Sequence, residues 1–197
     1  MYRVIAVTNR KLSVHPFLEQ IERVAERNPQ SILLREKDLS EEEYQALAEQ
    51  VLAICQNYQV ELILHHYPAV AKNLGVSGIH LSLARFKEYF NTLECTGIDK
   101  KFSTADFSKI GCSIHSLEEA KEAEGLGASY LTAGHIYATD CKKGLPPRGL
   151  TFLEKICRNT TIPVYAIGGI GLTDGRIEEV IRCGARGACI MSEVMKI

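Results

Sequence analysis

The sequence lacks an excess of charge of either sign. Its 23 lysine and arginine residues almost balance its 24 aspartate and glutamate residues, which leaves a formal net charge of -1. Binding of nucleic acid or of an anionic membrane surface depends on a strong positive field. We therefore predict neither a nucleic-acid partner nor a membrane partner.

Closely spaced cysteine pairs are also missing. The seven cysteines are scattered along the chain, and no two of them form a Cys-x-x-Cys pair. An odd number of scattered cysteines argues against a zinc knuckle and against a disulfide framework. Reduced thiols in a cytoplasmic protein are the simplest interpretation.

No apolar run reaches the roughly 18 residues that a membrane span needs. Residues 1–7 lead directly into a strand-like segment, without the charged and then apolar regions of a secretory signal. We interpret the chain as a soluble protein of a single domain, residues 1–197. A chain of 197 residues can bury a substantial core without metal or disulfides.

Short apolar runs alternate with longer amphipathic stretches along the chain. The runs predict eight strands, at residues 4–8, 31–34, 61–64, 78–81, 110–113, 130–133, 163–167 and 188–191. Helical spacing predicts helices between most of them, and Ser40 with Glu43 has the spacing of a capping box. The segment 86–108 gives no clear prediction.

Eight strands alternating with helices predict a parallel sheet, and their continuous apolar interiors are typical of strands covered on both faces. The count of eight favours a closed (β/α)8 TIM barrel, as does the absence of a Gly-x-Gly-x-x-Gly turn after the first strand. A doubly wound open sheet is the alternative. The eighth strand is followed by few residues, so we predict a shortened last helix.

Barrel enzymes of this kind build their sites from the loops that follow the strands. Polar or glycine residues follow most of the predicted strands, and those we select as candidate site residues are Arg35, Lys37, Ser113, His135, Thr139, Lys142, Gly168, Gly169, Met191 and Ser192.

Two glycines follow the seventh strand. Gly168 and Gly169 allow a ligand to approach bare backbone N–H groups, and Met191 with Ser192 is predicted to begin a helix whose N-terminus is positive. Together these two loops predict a phosphate site. In the alternative interpretation the glycines only make a tight turn.

Basic residues and one histidine add further candidates. Arg35 and Lys37 could hold a second anion, a carboxylate or a pyrophosphate, unless the loop pairs its charges internally. His135 could move a proton near neutral pH, or could simply be hydrogen-bonded to its own loop. We do not predict a metal site at His65 and His66, because adjacent side chains of a strand face opposite ways.

Six stretches of the sequence resemble the thiamine phosphate synthase/TenI superfamily, in the same order and over nearly the full length. They lie at residues 34–40 (LREKDLS), 78–82 (GIHLS), 110–116 (IGCSIHS), 134–144 (GHIYATDCKKG), 162–170 (IPVYAIGGI) and 184–192 (GARGACIMS).

The synthases of this superfamily join a pyrimidine diphosphate to a thiazole phosphate and need Mg2+. Where the resemblance places their two magnesium aspartates, this chain has His66 and Arg85, and Leu33 replaces a glutamine before Arg35. Because Mg2+ prefers carboxylate oxygens, the resemblance implies that the metal site is lost.

The loop after the sixth strand favours the TenI thiazole tautomerases, because Gly134-His135 stands where the synthases have Gly-Pro. We therefore predict an isomerase that aromatises a phosphorylated carboxythiazole without metal or cofactor. His135 would transfer the proton, and the other selected residues would bind the substrate. A magnesium-dependent thiamine phosphate synthase and a non-catalytic ligand-binding or regulatory protein are the alternatives. Assembly into a homo-oligomer is left open.

Overall fold

The computed structural model describes residues 3–90 and 102–197 and shows a closed barrel of eight parallel strands. The strands are β1 (Val4–Val7), β2 (Ser31–Leu34), β3 (Glu61–His65), β4 (Gly78–Ser82), β5 (Lys109–Ile114), β6 (Tyr130–Gly134), β7 (Val164–Ile167) and β8 (Gly187–Ile190). Each strand pairs with the next one in the sequence, and β8 pairs with β1. The predicted TIM barrel is confirmed.

Seven α-helices of the described residues lie between the strands: α1 (Phe17–Glu26), α2 (Glu41–Asn57), α3 (Pro68–Asn73), α4 (Leu83–Phe90), α5 (Leu117–Gly125), α6 (Gly149–Asn159) and α7 (Arg176–Arg182). The capping box before α2 is confirmed, because Glu43 Oε2 accepts the backbone N–H of Ser40 at 2.9 Å and Ser40 Oγ accepts that of Glu43 at 3.2 Å. Of the segment 86–108, residues 91–101 lie outside the described residues.

The end of the chain differs in part from the prediction. The last helix is indeed short, a 3-10 helix of three residues at Val194–Lys196. Met191 and Ser192 lie in the turn before it and do not begin a helix, so the predicted positive helix N-terminus at these residues is wrong. No helix among residues 3–90 and 102–197 is long and apolar enough to cross a membrane.

The barrel has two apolar regions. A large outer cluster packs the strands against the helices, with fully buried members such as Ile21, Leu64 and Phe86. A smaller inner cluster fills the barrel axis and consists of Ile5, Val7, Leu33, Ile63, Tyr130, Tyr165 and Cys189. Alternation of side chains along each strand separates the two regions.

One cavity of about 630 Å³ opens at the amino ends of the strands, and Gln30, Ser108 and Arg186 are among its lining residues. This end lies opposite to all the candidate site residues. Because the loops at the carboxyl ends carry the chemistry of TIM-barrel enzymes, we describe the site at those ends, which we call the mouth of the barrel.

Candidate active site

Strand register places Arg35 beside the histidines at the mouth. Leu34 pairs with Leu64, and His65 pairs with His80, so the ends of β2, β3 and β4 lie side by side. Arg35 follows Leu34 directly, and its backbone N–H donates to the hydroxyl of Thr8 at 2.9 Å. The side chain of Arg35 is half-buried at this position.

The carboxylate of Glu36 is buried and turned toward β1. It accepts from the Thr8 hydroxyl at 2.7 Å, and from the backbone N–H and the guanidinium of Arg10 at 3.0 and 3.2 Å. Asp38 pairs with Arg10 and Lys11 in the same way, at 2.6 and 2.8 Å. The loop after β2 therefore does not pair its charges internally. Thr8 and Arg10 were not among our candidates, and no sequence motif marks them.

Three basic side chains from opposite sides of the barrel approach each other across the mouth. The pKa of Lys37 is lowered, first by burial and then by the charges of Arg35 and Lys142. Burial also lowers the pKa of Arg35, which interacts with Glu36 and with Cys141. Because Cys141 and Lys142 follow β6, the loop after β6 reaches toward the end of β2. None of the three forms an ion pair with a carboxylate of the described residues.

The two histidines at the end of β3 are arranged differently from the prediction. The rings of His65 and His66 lie nearly parallel, with centroids 5.9 Å apart, because His66 has a φ of +79° and leaves the strand. Strand alternation does not apply across such a turn. The backbone N–H of His66 donates to the carbonyl of His80 at 3.1 Å, which fixes it beside β4.

A polar array crosses the interior of the barrel below the mouth. His80 is 2% exposed; its Nδ1 lies 3.0 Å from the Tyr130 hydroxyl and its Nε2 lies 2.8 Å from Ser113 Oγ. Thr132 Oγ1 donates to Ser113 Oγ at 3.2 Å. Each ring nitrogen of His80 has a hydroxyl partner, so the directions of these bonds depend on the tautomer. In the tautomer in which Tyr130 donates to Nδ1, Nε2 carries the proton and donates to Ser113. The Ser113 hydroxyl then accepts two hydrogen bonds, and its own proton is left to donate to a ligand.

Burial makes His80 a determinant of acid stability. Burial, and then the charge of Arg35, lowers the pKa of His80 to about 3, while a histidine of the unfolded chain titrates near 6.5. The unfolded chain therefore binds one more proton than the folded protein between these values, and stability falls as the pH falls. We expect this histidine to contribute about 1.4 kcal/mol per pH unit to the slope.

The measurement is the free energy of unfolding by urea between about pH 4 and about pH 6, compared between the wild type and His80→Gln. The slope of the free energy of unfolding against pH should be smaller in the variant by about 1.4 kcal/mol per pH unit, which corresponds to the uptake of about one proton. Equal slopes in the two proteins would show that His80 titrates alike in the folded and unfolded states.

His135 lies at the start of the loop after β6 and is half-buried. Its Nε2 is 3.3 Å from the carbonyl of Leu145, within the same loop. The carbonyl of Gly134 accepts from His115 Nδ1 and from Arg148 Nε, at 3.0 and 3.1 Å. The imidazole of His135 is therefore hydrogen-bonded to its own loop, as the alternative interpretation stated.

The glycines after β7 serve the packing of two loops. Gly168 and Gly169 have φ values of +100° and +67°, which disfavour any other residue. A Cβ at Gly168 would come within 2.9 Å of the Cα of His135, and one at Gly169 within 2.8 Å of the Cβ of Tyr137. The tight turn is thus required in any case, and phosphate binding at these glycines stays a prediction.

Arg176 and Thr139 lie near the Gly168-Gly169 turn and in the loop after β6, respectively. The guanidinium of Arg176 donates to the Gly169 carbonyl and lies over the Tyr137 ring, 4.6 Å from its centroid. Arg176 was not a candidate, because it lies beyond the loop, at the start of α7. Thr139 precedes a 3-10 helix at Asp140–Lys142 and accepts from the backbone N–H of Lys142 through its carbonyl, at 3.0 Å.

Comparison with known proteins shows to which family this barrel belongs. Residues 4–194 match the family described as thiamine monophosphate synthase (TMP-TENI). The chain belongs to the thiamine monophosphate synthase family. It is 32% identical to a putative thiamine-phosphate synthase 2 of Aquifex aeolicus, over 94% of this chain and 93% of that protein. It is also 32% identical to the thiamine-phosphate synthase 2 of Streptococcus pneumoniae, over 98% of this chain and 88% of that protein.

A solved structure agrees with these sequence relationships. The thiamine phosphate pyrophosphorylase of Pyrococcus furiosus superposes with a TM-score of 0.78 at 28% identity, and the match covers 99% of this chain and 88% of that one.

These relatives overturn our main functional prediction. They are named thiamine-phosphate synthases, and they match this chain over most of its length, so the predicted thiazole tautomerase is wrong. The error came from His135 in place of proline, together with His66 and Arg85 in place of the two magnesium aspartates. The hydrogen bond from the His135 ring to the Leu145 carbonyl offers a structural use for that histidine.

The side chains at the mouth do not fit the magnesium ion that the superfamily resemblance implies. The resemblance places His66 and Arg85 at the positions of the two metal carboxylates, and a guanidinium repels a cation. Within residues 3–90 and 102–197, no group of three or more histidine, cysteine, aspartate or glutamate side chains could hold a metal ion.

Proposed function

We propose that this chain is a thiamine-phosphate synthase, a transferase that joins a pyrimidine diphosphate to a thiazole phosphate. The observation that carries the proposal is the identity of about one third, over nearly the whole chain, with proteins named for this activity. The substrates are the two phosphorylated heterocycles that the superfamily resemblance implies.

The chemistry of the coupling suits the groups at the mouth. The thiazole ring nitrogen forms a bond to the pyrimidine methylene carbon, and the bond from that carbon to the diphosphate oxygen breaks. Pyrophosphate leaves with the electron pair, and no proton has to be moved. The protein must therefore stabilise charge on the leaving group, which fixed positive groups do well in a site that excludes water.

Each anionic part of the substrates has a candidate partner. Arg35, Lys37 and Lys142 converge on the mouth and would bind the diphosphate. The turns at Gly168-Gly169 and at Met191-Ser192 lie at the ends of the adjacent strands β7 and β8 and would bind the thiazole phosphate through backbone N–H groups. The Ser113 hydroxyl would donate to a heterocycle over the interior of the barrel.

The direct test is incubation of the purified protein with hydroxymethylpyrimidine diphosphate and thiazole phosphate, with and without Mg2+. Thiamine phosphate is measured by oxidation to the fluorescent thiochrome derivative, and released pyrophosphate by an enzyme-coupled assay. Equal amounts of the two products are expected. No thiamine phosphate at high protein concentration under either condition would contradict the proposal.

A further inference from the structure

The proposed synthase function implies a magnesium ion, but the described side chains at the mouth do not provide the two carboxylates that would bind one. The resemblance implies an enzyme that uses Mg2+ to steady its leaving group, but the two positions for the metal carboxylates hold His66 and Arg85. The guanidinium of Arg85 cannot ligate a metal ion, and the imidazole of His66 is not the hard oxygen ligand that Mg2+ prefers. Both side chains can instead donate hydrogen bonds to phosphate oxygens.

Both residues flank the carboxyl end of β4. Arg85 lies in the first turn of α4, where its backbone N–H is 3.4 Å from the hydroxyl of Ser82. His66 is fixed to the same strand by its hydrogen bond to the His80 carbonyl, at 3.1 Å. Burial lowers the pKa of His66, and the positive charges of Arg85 and Lys37 lower it further. The two replaced positions therefore adjoin the basic residues that follow β2.

Two carboxylates act on His66, and one of them pairs with Arg85. Glu88 is bound to the guanidinium of Arg85, at 2.7 and 2.8 Å, and Glu41 is the other carboxylate that acts on His66. The side chains of Arg85 and Glu88 are 37% and 56% exposed, and an ion pair this accessible to water contributes little and can exchange for a stronger partner. Arg35, Lys37 and Lys142 have no carboxylate partner among the described residues.

We infer that this chain binds the diphosphate of its substrate without a divalent cation. In this arrangement the guanidinium of Arg85 and the imidazole of His66 take the place of the metal ion beside Arg35 and Lys37. The inference rests on the synthase function proposed above. A diphosphate carries several negative charges, and its binding would relieve the mutual repulsion of the basic side chains at the mouth. A planar guanidinium can also bind two phosphate oxygens at once, as a metal ion does.

The test measures binding of inorganic pyrophosphate by titration calorimetry, in buffer with EDTA and in buffer with excess Mg2+. The wild type should bind pyrophosphate in EDTA, no more weakly than in Mg2+, and with an affinity that falls as KCl is added. Arg85→Asp should reduce the affinity in EDTA by about tenfold or more, because it replaces an attractive charge with a repulsive one.

The double variant His66→Asp, Arg85→Asp introduces a carboxylate at both positions. Aspartate tolerates the left-handed backbone of residue 66, so the change should not disturb the fold. Its binding of pyrophosphate should become dependent on Mg2+. The matched control is Arg158→Asp, an exposed arginine of α6 that pairs with Glu154 at 2.6 Å; it carries the same change of charge and should bind as the wild type does.

The coupling assay run in EDTA separates this inference from the proposed function. If the formation of thiamine phosphate and the binding of pyrophosphate both require Mg2+, the metal independence is refuted and the synthase function is supported. Pyrophosphate binding in EDTA, without thiamine phosphate under any condition, would support the anion site and refute the synthase. If neither pyrophosphate binding nor thiamine phosphate formation is observed under any condition, the inference and the proposed function are both refuted.

Discussion

Replacement of Arg35 by leucine should lower kcat/KM for the coupling reaction by about two orders of magnitude, the usual effect of losing one fixed donor to a developing anion. Arg35 is half-buried at the mouth and forms no ion pair with a carboxylate of the described residues, so its positive charge is available to a ligand. The nearby Glu36 is already bound by Thr8 and Arg10 and would not be left unpaired. Steady-state kinetics of thiamine phosphate formation provides the measurement.

The free energy of unfolding distinguishes a role in binding from a role in folding. We expect Arg35→Leu to change it by less than about 1 kcal/mol, because no buried partner is lost. Arg23→Leu is the matched control; this exposed arginine of α1 pairs with Glu19 at 3.0 Å, and its loss should leave kcat/KM unchanged. Full activity of the Arg35→Leu variant would contradict a role for Arg35 in substrate binding.

Replacement of Gly111 by alanine should destabilise the barrel by about 3 kcal/mol or more, the upper range for overpacking of a core. A Cβ at this position of β5 would overlap the ring of Tyr130 and the ring of His80. Both rings are buried and are joined by a hydrogen bond of 3.0 Å, so neither can move without losing it. Urea unfolding measures the loss, and a midpoint equal to that of the wild type would contradict the packing.

Gly125→Ala is the control for the chemical change itself. Gly125 ends α5, and a Cβ there would have no neighbour within 4 Å. In a helix this substitution should be neutral or stabilise by about 0.5–1 kcal/mol. Gly125→Ala thus adds a methyl group in open surroundings at a helix end, whereas Gly111→Ala adds one in a strand against the buried His80–Tyr130 pair.

The fold could be predicted because its signals are local. Each strand is a short apolar run, helical spacing is clear between most runs, and the Ser40–Glu43 capping box forms as its spacing indicates. Strand order then follows from the tendency of successive parallel strands to lie side by side. The errors were small shifts of strand ends and the turn at Met191 and Ser192, where the chain bends into three residues of 3-10 helix.

The site could be predicted only in part, because its arrangement depends on contacts between distant segments. The left-handed backbone of His66 means that the alternation of side chains along a strand does not extend to this residue. The approach of Lys142 to Lys37 joins the loops after β6 and β2, which are distant in the sequence, and Thr8, Glu36 and Arg10 meet only in the folded chain. The functional branch was misjudged because one loop histidine and two replaced metal positions were given more weight than similarity over the whole chain.

The interior of the barrel is chemically unequal on its two sides. Below the mouth, β4, β5 and β6 contribute His80, Ser113 and Thr132, whereas β1, β2 and β3 contribute Val7, Leu33 and Ile63. A flat heterocycle over this floor gains a hydrogen bond from Ser113 in one orientation and loses it when turned over. We expect the polar side of the floor to favour one orientation of a bound heterocycle over the other, before any charged group acts.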